Sequence, residues 1–260
     1  MDALLAKDVR NSVGIIPARL ESTRLPRKLL LDLEGKPVLQ WTLEGVSTSK
    51  YLREIIVATD SDEIADLCIS LGFDFILTPK DFASGTERVL WAYQTLENSF
   101  DYVVNIQGDE PFIKGEIVDN LLIKTFQSNA LISTLVSKIT NNREIFEPST
   151  VKVVTNLHGF ALYFSRAPIP FVRDYVQNSW HEIVTFYKHV GIYCFAKDIV
   201  QELTKMPPGK LEHSEKLEQL RWLENAFPIL CVETSETLLS IDTSDDMEKA
   251  REVMRSLSSR

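Results

Sequence analysis

The chain has 260 residues, 44% of them apolar, and a formal net charge of −9. That length suits one large domain or a core with a substantial insertion, and the apolar content lies outside the disordered range. With no run of Lys or Arg, the acidic balance argues against a nucleic-acid or anionic-membrane surface, and an anionic ligand would need cations focused in one pocket.

The start, MDALLAKDVRNS, does not read as a signal peptide, and no stretch approaches the roughly 20 apolar residues of a membrane span, so a cytoplasmic protein is expected. Cys68, Cys194 and Cys231 lie far apart without CxxC spacing, which argues against a zinc site or a disulfide framework.

In chain order, Val13 to Pro17 is a short apolar run and reads as a buried strand. A long loop follows, containing Pro26, Gly35 and Pro37. A helix is expected from about Pro37 to Thr48, with proline acceptable in its first turn. Glu54 to Thr59 reads as a second strand. Ser61 or Asp60 then caps a helix to about Leu71, which Gly72 ends. Phe73 to Leu77 is a third strand, a helix starts near Ser84 or Thr86, and Asp101 to Ile106 is a fourth strand. This alternation predicts a parallel sheet with helices on both faces, in which ligands bind at the carboxyl ends of strands.

The second half changes character. Ala130 to Lys138, Thr150 to Thr155, Phe160 to Ser165 and His189 to Phe195 read as strands without long helices between them. They predict an antiparallel extension, with a hairpin turn at Asn156 to Gly159. One charged helix is expected over about Leu211 to Asn225. A last strand, Ile229 to Glu233, leads to Ile241-Asp242-Thr243, and Thr243 or Ser244 caps the terminal helix.

Five stretches carry chemistry. The loop after the first strand, PARLESTRLPRK, sets four cations and two hydroxyls at a strand end, as a phosphate site requires. It is neither GxxxxGK[ST] nor GxGxxG. Gln107-Gly108-Asp109-Glu110-Pro111 places two acids at the fourth strand end, a set suited to Mg²⁺ or an ordinary acidic turn. Ser84-Gly85-Thr86-Glu87-Arg88 reads mainly as a capped helix start, with Arg88 a candidate for a base or phosphate contact. Leu211 to Arg221 is a charged helix face by pattern. Asp242 is a lone strand-end carboxylate, either a helix cap or a metal ligand. His189 sits in a strand near these ends, where a lone histidine is more often structural.

Taken in order, IIPARLESTRLPRK, SGTER, VNIQGDEP, ALYFSRAPIP, HVGIY, LEHSEKLEQLR and IDT resemble the 3-deoxy-manno-octulosonate cytidylyltransferase (CMP-Kdo synthetase) family from about residue 13 to residue 250. The resemblance implies a Rossmann-like, nucleotide-diphospho-sugar transferase-like α/β fold, forming a single domain over 1–260 with a dimer-forming antiparallel extension within about 130–200. It implies attack of the anomeric hydroxyl of an acidic 2-keto sugar, Kdo, on the α-phosphate of CTP, with loss of pyrophosphate, for lipopolysaccharide biosynthesis.

By the same resemblance, Ala18, Arg19, Ser22, Arg24, Lys28, Arg88 and Gln107 would hold the nucleotide. Asp109 and Asp242 would bind Mg²⁺ and, with Lys28, form the catalytic set. Arg166, His189, Glu212 and Gln219 would face the sugar, and the enzyme would be a homodimer. Where the family usually has LPGKPL, this chain has Leu25-Pro26-Arg27-Lys28-Leu29-Leu30, so Arg27 replaces glycine and Leu29 replaces proline. The family's Gly-Val-Asp-Thr is Ser240-Ile241-Asp242-Thr243 here, and the histidine often found before Ser84 is absent.

Three alternatives stand beside this reading. One is a cytidylyltransferase for 8-amino-Kdo or another nonulosonic acid. Another is a non-catalytic nucleotide-sugar-binding regulator on the same fold. The third, a dinucleotide-dependent dehydrogenase, lacks its glycine fingerprint.

Overall fold

The computed structural model describes residues 11–236 and 238–258. Most of the start of the chain, where no leader was expected, lies outside them. Two compact units form: the chain up to Leu122 together with the stretch after Glu236, and Ile123–Glu236. Together they give a mixed α/β fold with a mostly parallel central sheet and a smaller antiparallel part.

The first unit is built on parallel strands in the order β6-β1-β4-β5. These are β1 (Ser12–Ala18), β4 (Leu52–Thr59), β5 (Asp74–Leu77) and β6 (Tyr102–Asn105). A small hairpin, β2 (Asp32–Leu33) and β3 (Lys36–Pro37), follows the basic loop. Flanked by β4 and β6, β1 buries Val13, Ile15, Ile16 and Ala18 completely, which explains its uninterrupted apolar run.

The helix Asp62–Leu71 starts where the Ser61 hydroxyl accepts from the Ile64 N–H and ends at left-handed Gly72. Ser84 caps the helix Gly85–Thr95 in the same way, fixing Arg88 in its first turn. A second core joins the end of the chain to the hairpin: Leu33 and Val38 pack with Ile241, Met247, Ala250 and Met254. The helix Gly115–Ser128 follows the acidic turn, as the ordinary reading of that turn before a helix expects.

The second unit holds β7 (Ile132–Lys138), β8 (Lys152–Thr155), β9 (Ala161–Ser165), β10 (Tyr187–Ala196) and β11 (Ile229–Glu233). β7 pairs antiparallel with β10 and parallel with β11, while β8 pairs antiparallel with both β10 and β9. The expected hairpin turn forms: the Asn156 side chain accepts from the His158 and Phe160 N–H groups, and Gly159 takes φ 81°.

The single helix expected over Leu211 to Asn225 is instead two, Lys210–Glu215 and Gln219–Glu224, with Lys216 left-handed between them. The break has a tertiary cause. Arg166 donates from Nε to the Glu215 carbonyl and from Nη2 to the Lys216 carbonyl, diverting both from helix continuation. The nine-residue helix Lys197–Lys205, which the strand-rich reading passed over, buries Ile199, Val200 and Leu203. No helix among the described residues is long and apolar enough to cross a membrane.

Candidate active site

The basic loop leaves β1 at Ala18, which is fully buried at the strand end. Arg19 is exposed, Ser22 is half-buried, and Arg24 reaches Asp242 with Nη2 to Oδ2 at 2.9 Å. The loop then turns through Arg27 in the left-handed region (φ 57°, ψ 25°) into a short 3-10 turn, Lys28–Leu30. That conformation accounts for the glycine usual at this position, since glycine adopts it without steric penalty. Arg27 holds it here with Nη1 and Nη2 donating to the Glu63 carboxylate.

The turn aims Lys28 at two acids. Its Nζ donates to Asp109 and, at 2.9 Å, to Asp242 Oδ1; the Lys28 side chain is 16% exposed, Asp109 13% and Asp242 35%. Burial alone would lower the Lys28 pKa, but Asp109 and then Asp242 more than offset it and hold it above the ordinary lysine value. Asp242 comes from far along the chain. Ile241, buried in the second core, donates its N–H to the Asp109 carbonyl at 3.0 Å, which sets the two acids side by side. Asp246 fixes the next turn by accepting from the Thr243 N–H and hydroxyl.

Glu110 adds a feature that the acidic motif only hinted at. Its carboxyl is pushed up to about 8, first by burial and then by Asp109 and Asp242, so it keeps its proton at neutral pH. Its Oε2 is buried without a hydrogen-bond partner.

Arg88 and Gln107 stand at the neighbouring strand ends. Arg88 donates to Asp60 Oδ2 at 2.8 Å, to the Thr78 hydroxyl and to the Pro79 carbonyl. Gln107 Nε2 donates to Asn105 Oδ1 at 3.2 Å, and Asn105 in turn donates to Thr86 Oγ1 at 2.8 Å. Asp60, considered from sequence only as a possible helix cap, is the missed member of this group. Its signal was an acid at a strand end facing a basic loop.

The donor set suits a hard divalent cation. Asp109 and Asp242 converge on one point, and Mg²⁺ is characteristically held by one or two carboxylates with phosphate and water completing the shell. No group of three or more His, Cys, Asp or Glu able to hold a metal exists among the described residues. The protein therefore offers part of a coordination shell, not a closed cage.

The four remaining candidates lie in the second unit, where Tyr193 links two of them. The Tyr193 hydroxyl donates to Gln219 Oε1 at 3.2 Å, and its ring lies 5.3 Å from that of His189. Gln219 Nε2 is buried without a hydrogen-bond partner. His189 Nε2 lies 2.9 Å from Thr134 Oγ1, and that hydroxyl lies 2.8 Å from the Ile192 carbonyl. With its only proton given to a carbonyl, Thr134 accepts from His189, so Nε2 carries the ring proton and Nδ1 is an acceptor. Burial pushes the His189 pKa down to about 3, so the ring is neutral.

Arg166 donates its guanidinium hydrogens to three backbone carbonyls, those of Glu215, Pro148 and Lys216, while its backbone N–H donates to the Glu215 carboxylate at 2.9 Å. Glu212 is engaged on both oxygens by Arg221, at 2.6 and 2.7 Å, and also accepts from the Gly209 N–H.

Comparison with known proteins shows the family. The family model for cytidylyltransferases matches residues 13–235. The 3-deoxy-manno-octulosonate cytidylyltransferase of Francisella tularensis is 42% identical over 244 residues, covering 92% of this chain and 96% of the relative. That of Chloroherpeton thalassium is 40% identical over 246 residues, covering 94% and 97%. A solved CMP:2-keto-3-deoxy-manno-octonic acid synthetase complexed with CTP superposes with a TM-score of 0.87 at 38% identity, covering 94% of this chain and 98% of that one.

Proposed function

The chain belongs to the cytidylyltransferase family, and from that premise we propose that it couples CTP to Kdo, giving CMP-Kdo and pyrophosphate for lipopolysaccharide biosynthesis. The observation that carries this reading is the Lys28 ammonium, at the end of the basic loop, joined to both Asp109 and Asp242. Such a cluster is built to receive polyphosphate, where catalysis consists mainly of positioning and charge neutralisation.

In this reading exposed Arg19 and half-buried Ser22 would meet phosphate oxygens at the strand end. Arg24 and Lys28 leave their carboxylate partners to neutralise charge on the triphosphate. Asp109 and Asp242, so released, would hold Mg²⁺. That ion would supply Lewis-acid polarisation of phosphate oxygens and lower the pKa of a bound hydroxyl. Ala18 and Gln107 would border the nucleoside, with Arg88 acting behind them through its buried pair with Asp60.

The sugar assignment has its own supports. Arg166 would supply the cation that pairs with a sugar carboxylate. Gln219 Nε2 and His189 Nδ1 offer a donor and an acceptor to hydroxyls. Glu212, locked to Arg221, would contribute through that pair. A neutral His189 leaves the carboxylate to Arg166. We place the enzyme in the cytoplasm as a homodimer formed by the antiparallel extension, whose Leu162, Phe171 and Val176 are large apolar residues exposed in the single chain.

The test is a panel of acidic sugars with CTP and Mg²⁺, scored by pyrophosphate release. Release with Kdo is the expected result. Release only with 8-amino-Kdo or another nonulosonic acid overturns the substrate assignment. No release with any sugar, despite CTP binding, favours the regulator instead. In the same assay Asp109→Ala should abolish turnover while the fold survives, and near-normal activity would refute the metal assignment.

A further inference from the structure

Asp60 follows β4 and belongs to no group assigned above to substrate or metal. Its Oδ1 accepts from the Leu20 N–H, within the basic loop, at 3.3 Å, and its Oδ2 accepts from Arg88 Nη2 at 2.8 Å. The Asp60 side chain is 13% exposed and that of Arg88 4%. We propose that Asp60 is a positioning residue for the phosphate loop, with Arg88 as its counter-charge. The inference rests on reading that loop as the CTP triphosphate site.

The loop leaves a rigid base. β1 and β4 run parallel, with Ala18 opposite Thr59, so the chain emerges from one strand end directly beside Asp60. A backbone N–H held by a carboxylate is fixed more firmly than one held by a neutral carbonyl. A bare carboxylate beside a triphosphate would repel it, however, and the shielding of water is reduced at a half-buried strand end.

Arg88 resolves that conflict. Its guanidinium pairs with Asp60, is braced by Thr78 and the Pro79 carbonyl, and lies over the Phe82 ring at 5.4 Å. The helix that carries Arg88 is itself tied to the end of β6 through Thr86 and Asn105. Loop, β4 end and β6 end thus share one neutral pivot. Asp60 anchors the loop through its backbone, leaving the side chains of Arg19, Ser22 and Arg24 to the ligand.

The experiment measures binding of CTP, pyrophosphate and cytidine to the full chain by titration calorimetry, for wild type, Asp60→Ala and Asp60→Asn. The asparagine variant keeps the shape but has one acceptor oxygen, so it cannot serve both Leu20 and Arg88. The expected result is loss of about tenfold in affinity for CTP and for pyrophosphate, with cytidine changed by less than about twofold. A purely structural role would weaken cytidine along with the others. Equal loss for cytidine, or unchanged CTP affinity in a folded variant, overturns the proposal.

Amide exchange in the wild type reads the same bond without any substitution. The Leu20 N–H should exchange slowly before ligand is added, and fast exchange overturns the proposal even if both variants fail to fold. A wild-type protein that binds neither CTP nor pyrophosphate overturns the nucleotide reading and this inference with it. That outcome is distinguishable, because it leaves Leu20 protection intact.

Discussion

Arg27 sits with φ 57° and ψ 25°, immediately before the turn that carries Lys28 to its two carboxylates. A residue with a Cβ in the left-handed region costs roughly 1–2 kcal/mol, which glycine does not incur. Glycine adds freedom to the unfolded chain, a loss of about 0.5–1 kcal/mol. The Arg27–Glu63 pair is lost in either Arg27→Gly or Arg27→Ala. With both side chains 51% exposed, it is screened by water and salt, and such a pair contributes at most about 0.5 kcal/mol.

Arg27→Gly should therefore match or exceed wild-type stability, by up to about 1 kcal/mol. Arg27→Ala keeps the strain, loses the pair, and should fall about 1 kcal/mol below the glycine variant. This inverts the usual order, in which alanine is the more stable of the two. Urea unfolding of the three proteins at one pH measures it. Alanine equal to or better than glycine would refute the left-handed turn. Arg27→Pro, whose ring fixes φ near −65°, should misdirect Lys28 and raise the KM for CTP.

Two further predictions concern the second unit. Lys152 is fully buried and donates to the carbonyls of Glu147, Thr150 and Arg166, at 2.9, 2.6 and 2.6 Å. Its pKa is lowered, chiefly by burial. Lys152→Met removes a buried charge but orphans three acceptors, so urea unfolding should show a net loss of about 3 kcal/mol. A loss below about 1 kcal/mol would show that water or local rearrangement replaces the ammonium.

His189 has a folded pKa of about 3 against an ordinary value of 6.5. Below pH 6.5 the unfolded chain takes up a proton that the folded ring refuses, so stability is full above that pH and falls as pH drops toward 3. Between pH 7 and pH 5 this one group should account for about 2 kcal/mol of lost stability. His189→Gln should lose that much less over the same interval in parallel urea titrations. An identical pH dependence would mean that the ring is charged or solvated in the folded protein.

What the sequence disclosed depends on how local each cause is. A phosphate loop must gather cations and hydroxyls within a few residues of a strand end, so residues 17–28 suggest one by local pattern alone. The caps at Ser61 and Ser84 and the stop at Gly72 were readable for the same reason, because each is a bond across three or four residues or a single backbone angle. Asp242 was different. It meets Lys28 across 214 positions, and its local pattern left a helix cap and a metal ligand equally open, so only the family resemblance paired it with Asp109 and Lys28. Its placement follows from the burial of Ile241 in a core shared with Leu33 and Val38 and from a backbone bond to Asp109.

The charged stretch after Leu211 has a helical pattern at every position, yet the helix breaks, because Arg166 captures the carbonyls of Glu215 and Lys216. Arg88 shows the same limit from the other side. A buried arginine at a helix start needs a partner, and sequence supplies candidates by type alone: a base, a phosphate or an acid. The partner found is Asp60, on an adjacent strand end, and that acid in turn holds the loop backbone at Leu20. A motif marks where charge is gathered. How that charge is divided between ligand and scaffold depends on contacts between strand ends distant in the chain, and Arg88 and Lys28, similar as cations in the sequence, are separated by those contacts alone. Arg88 is spent on a buried acid with further bracing from Thr78 and Pro79, while Lys28 bridges two acids, Asp109 and Asp242.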